Sequence, residues 1–165
     1  MQKSPRWRPY SGQDRRLMER SVYVSYSQVC VFNSDISDPY NDWSPDHSRQ
    51  GFSWRPGSVS FATSFNCGSV NLSVRLVNKF ECPDAITIIR VPFEVYSCGN
   101  VECGSIMSGF IFNITPGLYS LYFFEFPNRS GVGLTFVRGI SDPMIIRFPS
   151  NMIAPKNLIM NANSA

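Results

Sequence analysis

Charge is scarce in this chain of 165 residues: Asp, Glu, Lys and Arg make up 16% of it, against roughly a quarter in an average soluble protein. Histidine is scarcer still and occurs once, as His47. A Ser-His-Asp or Cys-His catalytic arrangement would have to be built around that single ring. Its neighbours Asp46 and Ser48 are adjacent in sequence and supply no special geometry, so the bland expectation is a surface loop histidine. There is no glycine-rich phosphate loop, no His-Glu-x-x-His helix and no calcium-loop signature. Apolar runs are short, and none approaches the ~18 residues that a membrane-crossing helix needs. No apolar stretch follows the basic first residues, where Pro5 and Pro9 intervene, so a secretion signal is not expected. A cytoplasmic setting with reduced thiols is the expectation that follows. The five cysteines (Cys30, Cys67, Cys82, Cys98 and Cys103) are odd in number and spread out. Cys98 and Cys103 find no second close pair to complete a zinc site, so all five are expected to act as small buried hydrophobes. No catalytic residue, metal ligand or cofactor is assigned.

Apolar residues, by contrast, are plentiful at 43%, and Phe, Trp and Tyr alone reach 14%. That is ample surface to bury in one compact domain, which excludes disorder for the bulk of the chain. The net charge of +3 is unevenly spread. Within residues 1–20, Lys3, Arg6, Arg8, Arg15, Arg16 and Arg20 outnumber Asp14 and Glu19 by four. The remaining residues carry nine basic and ten acidic groups. A nucleic-acid binder ordinarily carries its basic residues on the folded body, and here they belong to the arm. The expected organisation is a basic arm over 1–20, a body over 21–150 and a tail over 151–165.

Alternation of period two dominates the body. Val22, Val24, Tyr26, Gln28, Cys30 and Phe32 share one face of a first run. Val59, Phe61, Thr63 and Phe65 form a second, and Val70, Leu72, Val74 and Leu76 a third. Residues 85–96, 118–126, 132–138 and 144–148 add four more, with Pro92 marking an edge or a bulge. Residues 66–69 read as a hairpin turn, and Thr115-Pro116-Gly117 reads as a further turn, with Gly117 supplying a positive φ. A helix is expected only at 13–21. About seven to eight strands joined by short turns imply an all-β antiparallel sandwich.

Residues 33–57 break the pattern. Connections beyond about 12–15 residues are uncommon in compact domains and tend to be functional. Within 33–47 stand Asp35, Asp38, Asp42 and Asp46 with no Lys or Arg, and Tyr40, Trp43, Phe52 and Trp54 are interleaved with polar residues. The acids suit a solvated turn, a calcium site or an acidic surface offered to a basic partner. Pro39 and Pro45 interrupt the run, and no bidentate Glu follows at a fixed spacing. The aromatics suit either interface anchors or plugs at the open end of a sandwich.

Several short segments occur in a telling order: Ser25-Tyr26-x-Gln28, Val31-Phe32, Asp42-Trp43, Gly57-Ser58-Val59-Ser60-Phe61, Val91-Pro92-Phe93-Glu94-Val95, Ser105-Ile106-Met107-Ser108 and Pro116-Gly117-x-Tyr119-x-Leu121. Over roughly residues 22–127 the chain resembles the competence protein J family, inhibitors of the bacterial DNA-entry nuclease. The resemblance implies a non-enzymatic protein of cytosolic type that binds a DNA-degrading nuclease, either in DNA uptake or as an immunity protein. This chain departs from that family in its basic arm and in its tail beyond about residue 140. The acidic stretch fits the implication, since a non-specific nuclease presents a basic groove to phosphate. Asp35, Asp38, Asp42 and Asp46 would face that groove, with Tyr40, Trp43 and Trp54 as anchors. The alternative is a calcium- or lipid-binding module of the C2 kind using the same acids, and a sugar-binding sandwich stacking on Trp43 and Trp54 is a third reading. Tyr26 and Gln28, on an otherwise apolar face, are expected to join a hydrogen-bond network or a site.

Overall fold

The computed structural model describes residues 14–165, with side chains from Leu17 onward. In chain order the elements are β1 (Asp14–Val24), β2 (Gln28–Asn33), α1 (Pro45–Gln50), β3 (Phe52–Arg55), β4 (Ser58–Ala62), β5 (Gly68–Val77), β6 (Thr87–Val95), β7 (Asn100–Ser105), β8 (Ser108–Asn113), β9 (Gly117–Glu125), β10 (Val132–Arg138) and β11 (Met144–Arg147). One sheet has the order β1-β5-β10-β9-β6-β11 and the other β3-β4-β2-β7-β8. Apart from the parallel pair β10–β5, all neighbours run antiparallel. The all-β sandwich is therefore as expected.

The core lies between the sheets, built from alternate residues of each. Val70, Leu72, Val74, Leu121, Phe123, Leu134 and Phe136 come from the first sheet. Val29, Val31, Val59, Phe61, Val101, Cys103 and Phe112 come from the second. Phe61 stacks on Phe123 across the gap, with centroids 4.7 Å apart. A smaller cluster of Ala85, Ile88, Phe124 and Phe126 lies on the far side of the first sheet, beneath Phe80. Pro92 costs no ladder bond, because β11 pairs with β6 only over residues 88–90 and leaves that edge open at Pro92.

Four local expectations are corrected. The part of 13–21 that is described is strand, not helix: β1 pairs along its length with β5, and tertiary pairing overrides a short charged segment's weak helical preference. The run 22–32 is two strands, broken at Tyr26-Ser27, and β1 and β2 belong to different sheets. Residues 66–69 likewise carry the chain from one sheet to the other and do not close a hairpin, since β4 and β5 are not paired. Residues 33–57 contain α1 and β3, and β7 and β8, with their Gly, Ser and Asn content, were not expected at all. Gly117 does take a positive φ, +146°.

Candidate partner-binding surface

The long connection is a strap laid across the outer face of the second sheet. On that face Cys30, Ser53, Ser58 and Ser60 alternate with the core residues Val29, Phe52, Val59 and Phe61, and all four are buried. Small side chains leave room for a backbone to approach. Ser58 Oγ donates to Pro39 O and Ser53 Oγ to Asp42 O, each at 2.5 Å. Asn41, 4% exposed, donates through Nδ2 to Ser53 O (2.9 Å) and Ser58 O (3.1 Å), and its Oδ1 accepts from Arg55 Nε at 2.7 Å. A second bond from Arg55 goes to Asp38 O. At the strap's start, buried Asn33 holds Glu94 O and the Tyr96 N–H of the facing sheet.

The strap ends at α1. Ser44 is its N-cap and Gly51, at φ +82°, its C-cap. His47 completes a capping box: Ser44 Oγ accepts from its N–H, and its Nδ1 accepts from Ser44 N–H at 3.0 Å. That leaves Nε2 as the proton-bearing nitrogen, 3.1 Å from Asn161 Oδ1. His47 is thus a 3% exposed structural residue, not the surface loop histidine expected. The signal was the Ser44-Pro45-x-His47 order of a helix start.

The C-terminal segment clamps the strap from outside. Asp42 N–H donates to Asn163 O and Asp42 Oδ1 accepts from Asn163 N–H, both at 2.9 Å and 121 residues apart. Ala162 N–H bonds Trp54 O, and Ala165 N–H bonds Tyr40 O. Gln50 ties Ile159 at both its N–H and its carbonyl.

This wiring redistributes the expected site residues. Asp35 and Asp38 are exposed, with no ion pair among the described residues. Asp46 is exposed and pairs with Arg49 one turn along α1. Asp42 is half-buried and holds the tail. The carboxylates are strung along the strap and do not converge, and no group of three or more His, Cys, Asp or Glu among the described residues is placed to hold a metal ion. Glu102, across the ladder from Phe32 on the same face, adds a carboxylate that the linear pattern did not reveal. The aromatics point inward. Tyr40 sits edge-on to Phe32 at 5.7 Å and donates to Ile106 O at 3.0 Å. Burial, with Cys30 and Glu102 near, raises its phenol above the ordinary 10.0. Trp43 Nε1 donates to Gln28 Oε1 (3.3 Å), and Trp54 Nε1 to Pro92 O (2.7 Å). Gln28 is therefore the network residue expected, buried and satisfied.

What is bare lies elsewhere. The turn Tyr26-Ser27 joins β1 to β2, and Ile106-Met107 joins β7 to β8. The two tips are clipped together: Ser105 Oγ accepts from Ser25 N–H at 3.0 Å and donates toward Gln28 O at 2.8 Å. Ser108 Oγ accepts from Tyr23 N–H at 3.0 Å. Tyr26 is 74% exposed, Met107 83% and Tyr23 51%. Tyr26 was read as a strand residue; the structure sets it at the turn. The cysteines divide: Cys30 and Cys103 are buried, burial pushing the Cys30 thiol up to about 11, whereas Cys67, Cys82 and Cys98 are exposed, contrary to expectation.

A two-sheet sandwich with a closed core, an acid-bearing strap on one face and bare side chains on two joined tips has the build of a protein-binding module. The model of the family Competence protein J (ComJ) matches residues 21–137, and the chain belongs to that family. It is 30% identical over 107 residues to a DNA-entry nuclease inhibitor of Bacillus subtilis (strain 168), an alignment covering 62% of this chain and 76% of the relative. Among solved structures, ComJ of Bacillus subtilis, an inhibitor of the DNA-degrading activity of NucA, superposes with a TM-score of 0.62 at 25% identity. That match covers 73% of this chain and 92% of the other. The product of crocagin biosynthetic gene J shares the fold, with a TM-score of 0.54 at 12% identity over 74% of this chain and 96% of that one. No helix among the described residues is long and apolar enough to cross a membrane.

Proposed function

We propose that this protein binds a bacterial DNA-degrading nuclease and blocks it, and that the acid-bearing strap covers the enzyme's basic groove. The observation that carries the reading is membership of a family whose relatives are named as inhibitors of such a nuclease. The strap supports the finer part. Asp35 and Asp38 on the extended, backbone-pinned strap, Asp46 on α1 at its end and Glu102 on strand β7 beneath put negative charge on one face, suited to a surface that accepts a phosphate chain. Such charge raises the association rate and sets orientation more than it adds affinity. Inhibition by occlusion needs no chemistry from the inhibitor, so no residue is given a catalytic role. A cytoplasmic setting belongs to the same proposal, and fractionation of cells making the tagged full chain checks it.

The test is nuclease protection. The full chain is titrated against NucA, and against any DNA-degrading nuclease encoded beside it, with plasmid degradation as readout. Block at one inhibitor per enzyme is expected. The triple variant Asp35→Asn, Asp38→Asn, Asp46→Asn should then associate more slowly and lose most of the salt dependence of its association rate. An unaltered rate and salt slope would remove the strap from the interface. Asp42 is left intact because it holds the tail.

A further inference from the structure

Resting on the inhibitor reading, we infer that the affinity anchors are Tyr26 and Met107 on the two clipped turns, and that they enter an apolar recess of the nuclease beside its basic groove. The turn at Tyr26-Ser27 is the first observation. Both residues take φ +55°, and Ser25 O accepts from Gln28 N–H across the turn. A two-residue turn of this kind favours Asn and Gly, which tolerate positive φ; a tyrosine there carries local strain. The surroundings hold that strain in place. Ser27 N–H donates to Asn66 O at 2.8 Å, Thr63 N–H to Ser27 O at 2.8 Å, and Ser27 Oγ meets Asn66 Oδ1 at 3.1 Å. In the same turn the Ser25 hydroxyl is shielded and has no partner among the described residues. Such costs persist where a neighbouring structure over-determines them, and they gather at functional sites.

Packing does not account for the side chain that the strain presents. The Tyr26 ring is 74% exposed and Met107 83%, on adjacent tips pinned by Ser105. A rigid amphipathic ring and a flexible thioether are side chains that fill apolar recesses at protein interfaces. Pre-organisation by the clip lowers the ordering cost of docking. The surface is continuous with the acidic strap, because Trp43 bonds Gln28 under one tip and Tyr40 bonds Ile106 in the other. Charge on the strap then orients the encounter while the tips hold the complex.

The turn makes a clean experiment available. Tyr26→Asn removes the ring while placing a residue that suits the backbone, so its melting temperature should stay the same or rise. Met107→Ala removes an exposed side chain and should leave folding unchanged. Each variant is measured against the nuclease that the wild type blocks, by surface plasmon resonance and plasmid protection. Each should weaken binding about tenfold or more, through faster dissociation at a near-constant association rate. Wild-type affinity in Tyr26→Asn and Met107→Ala, beside a wild type that blocks the enzyme, overturns the anchors and spares the inhibitor reading. A wild type that blocks neither NucA nor any nuclease encoded beside it removes both.

Discussion

The strap at 33–44 and the turn at 25–28 carry the same vocabulary, aromatics and serines set among polar residues, and the fold uses them in opposite senses. In the strap, Tyr40, Asn41 and Trp43 each spend their polar atoms on the body. At the tip, Tyr26 is thrown outward from a strained turn. An aromatic in a polar loop is thus informative only once the partners of its polar end are known. The strap shows that a long loop can be rigid when its backbone groups are paired, whereas the tip shows where the molecule tolerates local cost.

The strongest test of that contrast is Asn41→Ala, which strips two donors and an acceptor from a buried crossing point. We expect a loss of about 3 kcal/mol and a melting temperature lower by roughly 6–12 °C, with the folded fraction still binding at near wild-type affinity. A stability change as small as that of a surface substitution would mean the strap is not scaffolding. Removal of residues 161–165 takes away the tail's bonds to Tyr40, Asp42, His47 and Trp54 and should cost about 2 kcal/mol. Hydrogen exchange should locate the loosening in the strap and α1 and leave the tips protected as before.

Glu125 sharpens the comparison between buried and exposed carboxylates. It is 1% exposed, and Ser64 offers it both its N–H, at 2.8 Å, and its hydroxyl. Burial raises its pKa from the ordinary 4.5, and the Ser64 bonds only partly offset this. The folded protein therefore holds the proton more tightly than the unfolded chain does. Its contribution is fully present below about 4.5 and is lost as pH rises through the folded value. Denaturation followed across that window should show stability falling with pH in the wild type and a flatter profile in Glu125→Gln. An unchanged slope would mean the carboxyl does not titrate there. The smallest effect belongs to the exposed acids: Asp35→Asn and Asp38→Asn should move stability by less than about 0.5 kcal/mol while slowing nuclease association.

Much of the sandwich was legible in the chain, and the failures have a common origin. Strand β10 was read to the residue, and β5, β6 and β9 to within two, because in each the large apolar side chains facing the inter-sheet core recur at every second residue, a local signal. The run 22–32 looked continuous because Tyr26 and Gln28 keep the period while the chain turns and changes sheet. Strands β7 and β8 escaped notice because Gly104 and Gly109 face each other across the ladder and dilute the pattern. Of the candidate site, Asp35, Asp38 and Asp46 are exposed, whereas Tyr40, Trp43 and Trp54 turn their polar ends to the body and Asp42 holds the tail.

Composition, alternation and the ordered motifs were enough to determine an all-β sandwich of the competence protein J family, since strand period and short motifs are written in neighbouring residues. Only the tertiary structure decided that His47 is a cap, that Asp42 holds a tail 121 residues away, and that Tyr26 rather than Trp43 is left bare. Those outcomes depend on which distant backbone groups need a partner, and a buried polar group is satisfied by whatever the fold brings to it.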